Sequence, residues 1–111
     1  MTVLIVGGAH QCKAALARAL YPALPCVENL HVRVREELAA GHDPMALLEH
    51  LRGHVVTCDE VGCGVVPIDR ADEAYREAVG RLCCALAAEA DVVVRVTAGL
   101  PQYIKGEKPC I

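Results

Sequence analysis

The chain has 111 residues, 54% of them hydrophobic, a formal net charge of −3 and a mean hydropathy of +0.33. That length fits one domain, and mild acidity without a lysine- or arginine-rich run argues against nucleic acid or an anionic membrane as the main partner. The apolar run after Met1 spans only Val3 to Val6, too short for a signal or membrane segment, so a cytoplasmic protein is expected.

Phe and Trp are absent, so Val, Leu, Ala and Ile must fill the core. A domain this small buries only about two-thirds of its unfolded surface. Such apolarity predicts that part of the rest is covered by a second copy of the chain, a homo-oligomer.

Four apolar, β-branched runs predict strands: Thr2–Val6, a short one at Leu24–Glu28, His54–Cys58 and Asp91–Val96. None alternates with polar residues, which suits a parallel sheet covered on both faces. Cys12–Leu20 reads as a helix ending before Pro22, and Leu30–Ala40 as one ending at Gly41. Asp43-Pro44 supplies an N-cap and a first helical position for a short helix through Leu51. The longest helix starts at Asp69 or Arg70 and runs to about Ala90. Its apolar positions, among them Tyr75, Val79, Leu82, Leu86 and Ala90, recur at three and four. Strands alternating with helices predict an α/β fold, a three-layer sandwich on a mostly parallel sheet. The domain spans residues 1–105, and Gly106–Ile111 reads as a loose tail.

Two strand-to-helix junctions carry candidate chemistry. The first runs Gly7-Gly8-Ala9-His10-Gln11-Cys12-Lys13-Ala14. Against the phosphate-loop pattern G-x-x-x-x-G-K-[ST], Gly7 and Lys13 fit, Cys12 replaces the second glycine and Ala14 the hydroxyl. A Cβ at Cys12 restricts the curl of backbone N–H groups around phosphate, and alanine cannot ligate Mg²⁺. Lys13 can still meet a phosphate at a helix N-terminus. The competing reading is a tight turn with a solvent-exposed lysine. The second junction, Asp59-Glu60 followed by Gly62-Cys63-Gly64, puts two carboxylates at a strand's carboxyl end, where they can hold Mg²⁺, a water or ribose hydroxyls. The alternative is one solvated carboxylate and one turn cap. Glu28, after the second strand, is a further metal candidate or a plain loop glutamate.

The cysteines, Cys12, Cys26, Cys58, Cys63, Cys83, Cys84 and Cys110, are odd in number and scattered, which suits free thiols rather than a disulfide framework. No C-x₂-C pair occurs, and adjacent cysteines on a helix face apart, so no zinc is expected.

The run Asp59-Glu60-Val61-Gly62-Cys63-Gly64-Val65-Val66-Pro67 resembles the N-E-V-G-x-G-I-V-P signature of the adenosylcobinamide kinase/adenosylcobinamide-phosphate guanylyltransferase family of cobalamin biosynthesis. Arg76, Gly80-Arg81 and Leu86-Ala87 are similar to the helix that follows in that family, and Ala98-Gly99-Leu100-Pro101 with Ile104-Lys105 to its closing segment. Leu4-Ile5-Val6-Gly7-Gly8-Ala9 with Lys13 resembles its phosphate loop, and Glu28-Asn29-Leu30 the start of its acidic Walker-B region. The resemblance implies a RecA-like P-loop fold of about four parallel strands, with an edge strand as a possible addition. It implies GTP or ATP with Mg²⁺ as the bound nucleotide and adenosylcobinamide as phosphoryl acceptor. The loop 7–14 and Lys13 would hold phosphate, Glu28 and Asp59 Mg²⁺, and Glu60 would orient a hydroxyl or a metal-bound water. Family members are longer; the strand and helix that would fall between Leu20 and Cys26 are missing. With them goes the histidine that takes up GMP, and neither His10 nor His31 occupies its place. The alternative reading is a non-catalytic nucleotide- or corrinoid-binding accessory subunit.

Overall fold

A computed structural model describes residues 1–8, 12–60 and 70–107, the side chains of 70–72 excepted. Along the chain come β1 (Val3–Gly7), α1 (Lys13–Leu20), β2 (Cys26–Val27) and α2 (Leu30–Ala39). A 3₁₀ turn (Pro44–Leu47), α3 (Leu48–Leu51), β3 (Val55–Asp59), α4 (Arg70–Glu89), β4 (Val92–Thr97) and β5 (Leu100–Lys105) follow. The strands form one sheet in the order β2-β3-β1-β4-β5. The first four are mutually parallel, and β5 runs antiparallel to β4 on the edge.

The apolar runs are continuous because both faces are covered. Leu4, Val56 and Val93 point to one face, under α2, α3 and α4. Val3, Ile5, Val55 and Val94 point to the other, where α1 packs through Ala17. On α4 the stripe Tyr75, Val79, Leu82 and Leu86 is buried, and Ala90 just past the helix end continues it, so the 3.6-residue period read from sequence is the one that packs. Leu82 and Leu86 have no exposed surface, and truncating either to alanine would cost about 3 kcal/mol. Lys105 donates to the carbonyls of Ala87 and Ala88, closing the carboxyl end of α4 against β5.

The expected strand at 24–28 is cut to two residues. Pro25 has no N–H to give a ladder, though its carbonyl accepts from Val55 N–H, and Asn29 leaves the strand at φ 58°. The expected helix at 12–20 starts one residue late because Cys12 is left-handed (φ 61°, ψ 31°). Asp43 caps the next helical segment as expected, its carboxylate accepting from Met45 N–H, with Pro44 following, but the first turn is 3₁₀. The antiparallel strand β5 is set up by positive φ at both Ala98 and Gly99, the mark of a two-residue hairpin turn.

Candidate functional site

The site forms where β1 and β3 end side by side. Their register pairs Gly7 with Asp59, and Glu60 N–H extends the ladder by donating to Gly7 O at 2.8 Å. Gly7 is needed for its lack of a side chain: a Cβ there would lie 2.7 Å from Val96 O and 3.5 Å from Lys13 Cδ. The missing methyl lets β4 close in, whereas Lys13 Cδ would meet a Cβ there only at ordinary contact distance.

Lys13 is the first residue of α1, and its side chain is only 6% exposed. The reading of a solvent-exposed lysine is thereby overturned. Its ammonium donates to Gly8 O at 2.7 Å and meets Asp59 Oδ1 at 2.7 Å. A charge this buried requires a counter-charge, and Asp59 supplies it.

His31 was not among the residues assigned a role from sequence. Thr57, buried on β3, accepts a hydrogen bond from Asn29 N–H through Oγ1, which pins the start of α2 to the sheet. The first turn of α2 then sets His31 against Asp59. The backbone N–H of Asp59 donates to Nδ1 at 3.1 Å, and Nε2 lies 3.3 Å from Asp59 Oδ2. Accepting at Nδ1 leaves the proton of a neutral ring on Nε2, facing the carboxylate. Burial holds the His31 pKa below its usual value, and Lys13 and Arg35 add to the effect against the pull of Asp59. The signal that could have found His31 was its place one helical turn past a strand's carboxyl end.

Glu60 turns the other way, to Arg95 on β4: Oε1 lies 2.9 Å from Nε and Oε2 3.3 Å from Nη2, a two-point contact that fixes its carboxylate. Glu28 stands apart at the sheet edge, paired with Arg18 of the last turn of α1. The structure therefore brings together Gly7, Gly8, Lys13 and Asp59, sets Glu60 next in chain, and gives Glu28 a different partner. Cys12 and Ala14 flank Lys13 at the helix start, Cys12 exposed. Ala9, His10, Gln11 and the run Gly62-Cys63-Gly64 lie outside the described residues. Among the described residues, no three His, Cys, Asp or Glu side chains converge as a metal-ligand set, and no helix is long and apolar enough to cross a membrane. A cleft of about 520 Å³ beside α2, bordered by Leu30, Arg33, His50 and Leu51, is lined by none of the predicted site residues.

Beneath Asp59, Cys83 of α4 donates its thiol hydrogen to Cys58, with the sulfurs 3.7 Å apart, and the Cys58 thiol donates to Asp59 O at 3.4 Å. That contact, with burial, pushes the Cys58 thiol up, and the same contact pulls Cys83 down against its own burial.

No curated protein matches the chain. The family profile described as cobinamide kinase/cobinamide phosphate guanyltransferase matches residues 26–104, a stretch that holds Glu28, His31, Asp59, Glu60 and Arg95 and leaves the β1–α1 junction outside it. That match spans more than half of the chain, from β2 to the end of the sheet, and the chain belongs to the cobinamide kinase/cobinamide phosphate guanyltransferase family of cobalamin biosynthesis.

Proposed function

We propose that the chain binds GTP or ATP with Mg²⁺ in a P-loop-like site and transfers the γ-phosphoryl group to the hydroxyl of adenosylcobinamide. The observation that carries this reading is Lys13: a buried ammonium at the start of a helix, at the carboxyl ends of two parallel strands, neutralised by Asp59. A nucleotide phosphate can replace Asp59 as the counter-charge while the first N–H groups of α1 favour the same anion.

Asp59 released in this way presents a hard oxygen ligand, which suits Mg²⁺ held by one or two carboxylates plus phosphates. Glu28 adds a second carboxylate on leaving its exposed pair with Arg18. When bound, Mg²⁺ supplies charge neutralisation of the phosphates. Lys13, with the backbone of 7–14 (including Ala9, His10 and Gln11), positions the γ-phosphoryl group. Glu60, steadied by Arg95, orients the acceptor hydroxyl, whose oxygen forms the new P–O bond as the bond to the leaving diphosphate breaks and the hydroxyl proton passes to solvent. The guanylyl step is not part of the proposal. Self-association fits β5, an edge strand with exposed Leu100 and Ile104.

The test is transfer of label from γ-labelled GTP or ATP to adenosylcobinamide, with Lys13→Ala as control. Lysine-dependent product supports the kinase reading. Folded protein giving no product above the control would overturn it in favour of a non-catalytic nucleotide- or corrinoid-binding accessory. Left-handed Cys12 and hydroxyl-free Ala14, both in the phosphate loop, favour that second reading.

A further inference from the structure

We propose that Cys58 and Cys83 form a dithiol modification site that closes to an intramolecular disulfide, tethering α4 to the strand end that carries Asp59. Both thiols are free and their sulfurs are already in contact at 3.7 Å. A disulfide needs about 2.05 Å, so two side chains share an approach of less than about 2 Å. They come from elements far apart in sequence, β3 and the middle of α4, so the bond would cross-link sheet and helix.

Access sets the order of events. Cys58 has no exposed surface, whereas Cys83 is partly exposed. Cys84, its neighbour, is exposed on another side of the helix, and among the described residues no other pair of sulfurs is in contact. The Cys83 thiolate, having given its proton to solvent, attacks one sulfur of a low-molecular-weight disulfide such as oxidised glutathione, and one small thiol leaves. Cys58, deprotonated in turn, attacks the Cys83 sulfur of the mixed disulfide, and the second small thiol leaves. Two electrons pass from the protein thiols to the small disulfide, and excess thiol reverses both steps. Labile pairs of this kind act as redox sensors where the surroundings are reducing.

The site feels the closure because Cys58 directly precedes Asp59. The Cys58 thiol also contacts Asp59 O at 3.4 Å, while Asp59 N–H holds His31 Nδ1 and its carboxylate holds Lys13. Drawing Cys58 toward α4 turns the peptide between them and shifts the Asp59–His31 contact. This inference rests on geometry and does not depend on the nucleotide reading.

The experiment treats the folded full chain with oxidised glutathione, alkylates remaining thiols under denaturing conditions and maps the peptides. The expected result is a Cys58–Cys83 linked peptide, reversed by dithiothreitol and absent from Cys83→Ser. Cys83 stopping at a glutathione adduct, or Cys58 remaining fully alkylatable, would overturn the proposal. In parallel, the His31 ring resonance should move on oxidation of the wild type and stay fixed in Cys83→Ser. An unmoved resonance in protein with the linked peptide would overturn the coupling to the site.

Discussion

Helix α1 offers a cation at each end, and each meets a carboxylate near a strand's carboxyl end: Lys13 meets Asp59 of β3, and Arg18 meets Glu28 just past β2. The chemistry is alike and the surroundings are not. Lys13 and Asp59 are 6% and 24% exposed, Arg18 and Glu28 64% and 43%. The difference follows from the sheet: β3 is an inner strand with β1 beside it, while β2 is a two-residue strand at the edge. In the inner pair each charge needs the other, because neither can be fully rehydrated. In the outer pair water does most of the work, and such pairs contribute about 0–1 kcal/mol. Position in the sheet, rather than residue type, decides which carboxylate is structural.

The sharpest way to break this contrast is Asp59→Asn. It leaves the buried ammonium of Lys13 with only the Gly8 carbonyl as a described partner and should cost about 3 kcal/mol, read as a fall in the urea midpoint at constant slope. Lys13→Met in the same background should recover most of the loss, because removing both charges is far cheaper than stranding one. A loss under about 1 kcal/mol, or no recovery in the double variant, would place the inner pair in the same class as the outer one.

His31 sharpens the contrast through pH. Burial lowers its folded pKa, with help from Lys13 and Arg35. Below its ordinary value near 6.5 the unfolded chain therefore takes up a proton before the folded one does. The stability contributed by neutral His31 is present above about pH 6.5 and is lost as pH falls through the folded pKa, at up to about 1.4 kcal/mol per pH unit for one proton. Urea midpoints from pH 8 down to 5 should show this slope, and His31→Gln should flatten it. An equal slope in the variant would remove His31 from the inner cluster.

Cys12 tests how the inner pair is built. A non-glycine residue at φ 61° is strained, so Cys12→Gly should stabilise the fold by about 1 kcal/mol, offset in part by the greater freedom of the unfolded chain. With Ala14→Ser added, Mg²⁺–nucleotide binding by titration should strengthen. Unchanged stability and unchanged affinity together would mean that the curl before Lys13 is not the phosphate-loop curl.

Much of this arrangement is legible before folding. The β-branched runs Val3–Val6 and Val92–Val96 announce a sheet buried on both faces, and the spacing of Tyr75, Val79, Leu82 and Leu86 announces the α4 stripe. Gly7 and Lys13 are candidates from motif spacing and Asp59 from its place at a strand's carboxyl end, though neither signal says that Lys13 is buried. β5 has no strand signal within its own residues, because Leu100–Lys105 carries Pro101 and Gln102 and no apolar run marks it; only the family resemblance leaves room for an edge strand. Its signal was the Ala98-Gly99 dipeptide at the turn. His31, Arg95 and the Cys58–Cys83 contact were invisible for another reason. Each depends on elements distant in sequence, and in the case of His31 on a hydroxyl, Thr57, that fixes where α2 begins.

The smallest expected effect falls on the outer pair, and it separates function from stability. Glu28→Gln breaks an exposed contact with Arg18 and should change stability by no more than about 0.5 kcal/mol. The same weakness makes the carboxylate available: little is lost when Glu28 leaves Arg18 for a metal. If Glu28 joins Asp59 at Mg²⁺, the substitution should weaken Mg²⁺-dependent GTP or ATP binding several-fold and leave binding in the presence of a chelator unchanged. Affinity unaltered in both conditions would confine Glu28 to the surface and leave Asp59 as the metal's carboxylate. Two carboxylates near neighbouring strand ends would then differ in both respects, one holding the fold and the ligand, the other holding neither.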